Sequence, residues 1–572
     1  MADTQTGYPS KDKPWLKYFS NEALQTALPQ KTIYEYLYDC CKNRLNRTAT
    51  NYFGNKGTYS ELFHNIDIAT HAFRKCGVRE GDMVSLCMLN MPETLYVVYA
   101  LNRIGAICNN IEPRVNAEQI KDRINNVESK ILIVVDVFLG KIKEIADKTQ
   151  LSTIIVVPIS RSMPFYIKAA FKISKGHLIP KMPMDKKYVL YDEFIADVVI
   201  DNSIDDVEYK KNSPAVIIYT GGTTGVSKGA ILSNDSVVAV AASVVYDVPR
   251  LYTGDRFLGI MPPFIAYGFV FGMFIPLCAG LEVIQIPNFK PEMLDTLVLK
   301  YKPNHIIGVP SFFERLAKSK RMKNKDLSFL LCTITGGDQL LENTEKLIND
   351  FFHSHNCKYD ILKGYGMTEM GSAVTVTATD ECNILGSVGI PSHSAVVKVI
   401  DHDTGEELKY NESGEICMRS PGMMLEYLNN PTETDKVMRK HADGHLWIHT
   451  GDIGYMNEAG VIFIKGRIKR MIIRPDGHNV WPSKIEEVIM SHPAVSECVC
   501  VGTANPNGAN GKIPTAYIVV ENGIERTDNL LEEIDNFERE KLPERDIAMK
   551  LVYIDEIPLT SVGKVDYRAL EG

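Results

Sequence analysis

Short apolar runs recur along this chain between amphipathic stretches. Ile131–Val135 and Thr153–Val157 are rich in β-branched residues, and residues 215–218 and 305–309 repeat the pattern. A continuous apolar run marks a strand buried on both faces, and the amphipathic stretches between such runs mark covering helices. The first two-thirds of the chain therefore predict an α/β fold of layered sheets and helices, with largely parallel strands. No internal repeat is visible. A different series follows: a helix over 485–491, strands over 497–502 and 515–521, and a helix over 530–541. It predicts a small, compact α+β unit of about 100 residues after the large first part of the chain.

One stretch departs from the pattern. Residues 159–187 carry Arg161, Lys168, Lys172, Lys175, Lys181, Lys186 and Lys187 against a single acid, Asp185. Within it, 164–173 can form a short basic amphipathic helix. Two readings follow: a weak peripheral contact with anionic lipid, or a surface insertion whose apolar residues pack on the main domain. The insertion is favoured, because one short helix binds a membrane weakly on its own.

Composition narrows the class. A length of 572 residues, 45% hydrophobic and 23% charged, is that of a soluble globular protein with more than one domain. A net charge of −8 gives no reason to expect nucleic acid. The 12 cysteines form no C-x-x-C pair, so their spacing suggests neither a zinc site nor a disulfide framework. Scattered thiols, a polar N-terminus and the lack of an apolar run long enough to span a bilayer point to the cytoplasm, with the peripheral contact as the variant. Monomer and dimer are both open.

Candidate chemistry begins at Tyr219-Thr220-Gly221-Gly222-Thr223-Thr224-Gly225-Val226-Ser227-Lys228-Gly229. Glycines let backbone N–H groups approach an anion, hydroxyls add donors, and the lysine adds charge, which is the chemistry of a polyphosphate cradle. A P-loop needs glycine before the lysine and a hydroxyl after it; Ser227 and Gly229 reverse that order. Taken alone, the stretch is as well read as a plain Gly/Thr loop. Further motifs follow: Gly336-Gly337-Asp338, Gly364-Tyr365-Gly366-Met367-Thr368-Glu369, Trp447-Ile448-His449-Thr450-Gly451-Asp452, Gly466-Arg467-Ile468-Lys469, and Pro558-Leu559-Thr560-Ser561-Val562-Gly563-Lys564. In this order they resemble the adenylate-forming superfamily of acyl-CoA synthetases, adenylation domains and beetle luciferase, over residues 32–570.

The resemblance implies an N-terminal adenylation domain over 1–468 and a mobile C-terminal domain over 469–572, hinged at Lys469. It implies that Thr220, Gly221, Gly222, Thr223, Thr224, Gly225 and Lys228 hold the β- and γ-phosphates of ATP. Two positions depart from the usual loop, with Gly221 for a serine and Ser227 for a proline. Glu369, with Thr220, would hold Mg²⁺, and Thr368 would contact the α-phosphate. Gly336, Gly337, Asp338, Gly364, Tyr365, Gly366 and Met367 would line the adenine pocket, with Tyr365 stacked on the base. Asp452 would read the ribose, with Arg467 and Ile464 beside it. Lys564 would bridge carboxylate and α-phosphate, the catalytic role it shares with Thr368 and Glu369. Gly477 and His478 would border the coenzyme A tunnel, where Lys484 replaces a frequent acid.

The resemblance also places the acyl pocket on residues 261–271. Ile265 stands where amino-acid-activating relatives carry Asp and many aryl- and acyl-CoA ligases carry His. An amino acid is thereby disfavoured, and Tyr267, Phe269 and Phe271 read as an alternating aromatic wall beside Gly336 and Gly366. The expectation is an AMP-forming acyl-CoA synthetase using ATP, Mg²⁺ and coenzyme A on a medium- or long-chain fatty acid. Its alternatives are an arylalkanoic or aromatic acid, transfer to a separate acyl carrier protein, and a nucleotide-binding regulatory homologue without catalysis.

Overall fold

In the computed structural model, the described residues are 6–201, 206–220, 227–506, 510–560 and 563–571. A large N-terminal domain carries two mainly parallel sheets and one antiparallel sheet, and a smaller C-terminal domain carries a three-stranded sheet of its own.

The predicted strands Ile131–Val135 and Thr153–Val157 lie side by side in an eight-stranded sheet, in register from Ile131↔Thr153 to Val135↔Val157. The 215–218 run widens to the strand Pro214–Tyr219, which pairs parallel to Ile107–Asn110 and antiparallel to Gly229–Ser233. The 305–309 run becomes His305–Gly308, inside a seven-stranded sheet between Arg256–Gly259 and Cys332–Thr335. All but the end residues of these runs are fully buried, as a strand covered on both faces requires.

Helix Pro92–Ile104 shows how the layers join. Proline opens it, where no backbone N–H is missed, and Gly105 closes it in the left-handed region at φ 82°. It is buried along almost its whole length, so its polar members need partners. Asn102 donates to Asn234 at 2.8 Å, and Glu93 accepts from Arg161 at 3.1 Å and Ser162 at 2.6 Å.

The C-terminal domain follows the predicted series, with each element slightly longer than its pattern: Pro482–Met490, Val495–Ala504, Lys512–Val520 and Asp528–Lys541, with Lys550–Tyr553 as a further parallel strand. It has a separate core around Ile485, Ile489, Cys500, Ile518 and Ile534. Among the described residues, no helix is long and apolar enough to cross a membrane.

The basic stretch forms helix Phe165–Lys175. Ile167 and Phe171 pack on the main core, as a surface insertion requires. The opposite face is apolar too: Phe165, Tyr166 and Ile173 are 87%, 69% and 85% exposed.

Candidate active site

A cavity of about 740 Å³ opens between the sheets and the C-terminal domain. Its walls include Thr220, Ile265, Tyr267, Phe271, Gly336, Gly337, Gly364, Tyr365, Gly366, Met367, Thr368 and Lys564. Five separate sequence motifs thus converge on one space. Gly366 is required there, because a Cβ atom would lie 1.9 Å from the carbonyl oxygen of Ser372.

The base of the Gly/Thr loop is a closed hairpin. The Thr220 N–H donates to the Lys228 carbonyl at 2.8 Å, and the Ser227 hydroxyl donates to the Thr220 carbonyl at 2.7 Å. Ser227 therefore pins the base of the loop. Gly221, Gly222, Thr223, Thr224 and Gly225 lie outside the described residues. Lys228 pairs with Glu433 at 2.8 Å and sits over the Tyr427 ring, and this lysine holds the Glu433 carboxyl down to about 2.

Glu369 is buried behind Thr368 and accepts a hydrogen bond from the Tyr427 hydroxyl. Asp452 is buried between Tyr365, whose hydroxyl donates to it, and Arg467, whose Nε donates at 2.8 Å. The Asp452 carboxylate holds the Arg467 guanidinium above its usual range. Asp338, Ile464, Lys228, Glu369, Asp452 and Arg467 are set back from the cavity wall, and Gly477 and His478 stand on a turn outside it.

Lys564 reaches the cavity from the C-terminal domain, as a turn closed by Thr560 N–H to the Lys564 carbonyl at 2.7 Å. This turn docks on the N-terminal domain at three points. Val565 N–H donates to Asp338 at 3.3 Å, and the Ser311 hydroxyl donates to the Gly563 carbonyl at 3.4 Å. Gly563, at φ 85°, lies so close to Phe312 that a Cβ atom would meet its ring at 2.7 Å. The Lys564 stem runs over Gly337. Burial lowers the Lys564 ammonium below the ordinary lysine range, against the pull of Asp338.

The chain matches a family profile described as AMP-binding enzyme over residues 37–428, and one described as AMP-binding enzyme C-terminal domain over 484–564. The chain belongs to the AMP-binding enzyme family. The AMP-binding enzyme is 27% identical to a long-chain-fatty-acid–CoA ligase of Bacillus subtilis, over 98% of this chain and 97% of that one. It is 28% identical to 4-coumarate–CoA ligase 1 of Petroselinum crispum, over 90% and 88%. Its fold matches ATP-bound MatB from Rhodopseudomonas palustris with a TM-score of 0.79 at 23% identity, over 95% and 98%.

One expected wall residue of the AMP-binding enzyme is misplaced. Phe269 is buried in the core and does not line the cavity. An alternation of aromatics is a strand period, whereas Tyr267–Phe274 is a π-helix. On it Tyr267 and Phe271 share a face, with ring centroids 6.0 Å apart, and Phe269 points away. Sequence reasoning also missed Arg123, which lines the cavity and stacks on Tyr219 at 4.5 Å, and Tyr427, which holds Glu369. Neither lies in a glycine-rich or otherwise distinctive stretch, so no local signal marked them.

Proposed function

We propose that this AMP-binding enzyme is an AMP-forming acid–CoA ligase whose acid is a medium- or long-chain fatty acid. The observation that carries the reading is the seat of Lys564: a buried ammonium on a docked turn, in a cavity whose lining includes the apolar side chains of Val248, Ile265, Tyr267, Phe271, Val309 and Ile334 beside its polar residues. An apolar wall rewards chain length by about 0.8 kcal/mol per buried CH₂.

In the first half-reaction a carboxylate oxygen attacks the α-phosphorus of ATP, and the bond to pyrophosphate breaks. Lys564 lies where one ammonium can draw both anions together and offset the charge that develops between them. Thr368, on the same wall, donates to the α-phosphate. Thr220 and Lys228 hold the departing pyrophosphate, with Lys228 exchanging Glu433 for the phosphate. Asp452 and Arg467 read the ribose. Glu369 and Thr220 offer the hard oxygen donors that suit Mg²⁺ and would hold it, the ion supplying charge neutralisation on phosphate oxygens. In the second half-reaction the thiol sulfur of coenzyme A attacks the acyl carbon, and the bond to AMP breaks.

The two half-reactions need different domain poses, with the pivot at Lys469 and the division of the chain at 468/469. Supporting this, Arg467 is anchored to Asp452 of the N-terminal domain. Arg470 is anchored to Glu486, Tyr567 and the Cys500 carbonyl of the C-terminal domain. Lys469 stands exposed between them. Rotation there would carry Lys564 out and bring the Gly477–His478 turn in.

Pyrophosphate release over a panel of carboxylic acids, each with coenzyme A or an acyl carrier protein as acceptor, tests the reading. Fatty acids with coenzyme A should give the highest kcat/KM. Preference for aromatic acids would favour the chemistry named for the Petroselinum relative, preference for the carrier would shift the acceptor, and silence with every acid would favour a regulatory homologue. ADP as product would refute the ligase reading.

The outward apolar face of Phe165–Lys175 favours a peripheral lipid contact as an accompanying property. Among the described residues, Lys168, Lys172, Lys175, Lys181 and Lys186 form no ion pair, which leaves their charge for anionic headgroups. Co-sedimentation with anionic vesicles should fall when Phe165, Tyr166 and Ile173 are changed to serine.

A further inference from the structure

A second cluster of chemistry-bearing side chains lies in the antiparallel sheet of the N-terminal domain. Cys417, on strand Gly414–Arg419, faces His449 directly across the strand pair, on Leu446–Met456. His441 follows the neighbouring strand Met438–Lys440, and its N–H donates to the His445 carbonyl at 3.0 Å, in a turn that brings its ring over the pair. The Nε2 atoms of His441 and His449 stand 2.9 Å apart, and with the Cys417 sulfur all three ligand atoms lie within 4.8 Å of one another. Cys417 and His449 are buried, and His441 is half-buried.

A second feature points the same way. His449 Nδ1 stands 3.0 Å from Glu415, whose other oxygen accepts from Gly451 N–H at 3.1 Å. A carboxylate partner assigns the proton to Nδ1 and leaves the Nε2 lone pair directed into the cluster. A carboxylate behind an imidazole is also how metal-ligating histidines are oriented and made more basic.

We propose that Cys417, His441 and His449 form a zinc site, with water as fourth ligand on the half-exposed His441 side. One thiolate and two imidazoles are a donor set that suits tetrahedral zinc, and a slight parting of the two nitrogens with an approach of the sulfur brings each atom to bonding distance. As the sulfur–zinc bond forms, the Cys417 thiol releases its proton to solvent, so the thiolate and the Glu415 carboxylate together balance the dication. Lys398 and Arg439 flank the cluster, and Asp443 pairs with Lys398 at 3.3 Å. The ion would fasten the strand that carries Asp452 three residues beyond His449. Its ligands come from three separate strand and turn positions, which is why no C-x-x-C spacing announced it.

The test uses the full chain, freed of any histidine tag, loaded with zinc or cobalt and dialysed. The proposal expects about one ion per chain by plasma mass spectrometry. It also expects a thiolate-to-cobalt charge-transfer band that Cys417→Ser abolishes. His441→Gln, on a half-exposed turn, and Glu415→Gln should each weaken metal affinity by about 10–100-fold while circular dichroism stays native. Should Cys417→Ser not fold, the His441→Gln affinity decides. Overturning results are a folded wild-type chain that retains under about a tenth of an ion, or metal affinity unchanged in His441→Gln.

Discussion

Lys564 is the residue where burial and chemistry meet. Its charge is what the proposed adenylation would use, yet its surroundings disfavour that charge, and the group sits below the ordinary lysine range. A depressed pKa means that the ammonium is lost at a lower pH than on a free lysine. In the pH profile of kcat/KM for acyl-adenylate formation, which reports the free enzyme, we expect an alkaline limb below the titration of an ordinary lysine. Lys564→Arg, charged throughout, should lose that limb from whatever activity it keeps; a limb that persists would place the titrating group elsewhere. Legibility at this scale was uneven. The motif residues could be named because each motif combines scarce residue types in a set order. Nothing in the sequence says that Lys228 rests on Glu433 or that Tyr427 holds Glu369, because those partners meet only through the fold.

Among elements, the strands were legible because burial on both faces writes itself as unbroken apolar runs. The segment over 261–271 was misread at Phe269, since an all-apolar run has no polar positions to reveal its period; the π-helix is decided by packing. Helix Asp528–Lys541 carries a further cost. Glu538 is fully buried, one oxygen accepting from Ala548 N–H at 2.8 Å, and burial pushes its carboxyl up to about 7. A raised carboxyl pKa makes the protonated form the one that fits. Its stabilisation is complete below the unfolded value near 4.3 and is lost as pH rises through about 7. Glu538→Gln keeps an acceptor without the charge. It should raise stability at pH 8 by about 1–3 kcal/mol in denaturant unfolding and flatten the dependence between pH 5 and 8. An unchanged or lower stability at pH 8 would contradict this.

For the whole molecule, the motif order disclosed the family and two domains, but not which pose the domains adopt or which acid is bound. Both depend on contacts between residues far apart in sequence, such as Gly563 on Phe312 and Val565 on Asp338. The pose here places Lys564 in the cavity and leaves Gly477 and His478 outside it, the arrangement that the proposed function would assign to adenylation. If Lys469 is the pivot, Lys469→Pro should slow thioester formation by about tenfold or more while adenylation changes little. Equal losses would move the pivot away from Lys469. In the proposed chemistry Lys564 acts in one half-reaction only. The decisive measurement takes Lys564→Ala through both steps separately, in single turnover. The prediction is a loss of about 10²–10³-fold in acyl-adenylate formation from ATP and acid, with thioester formation from preformed acyl-adenylate within about threefold of wild type. Comparable losses in both steps, or full adenylation without the lysine, would contradict it.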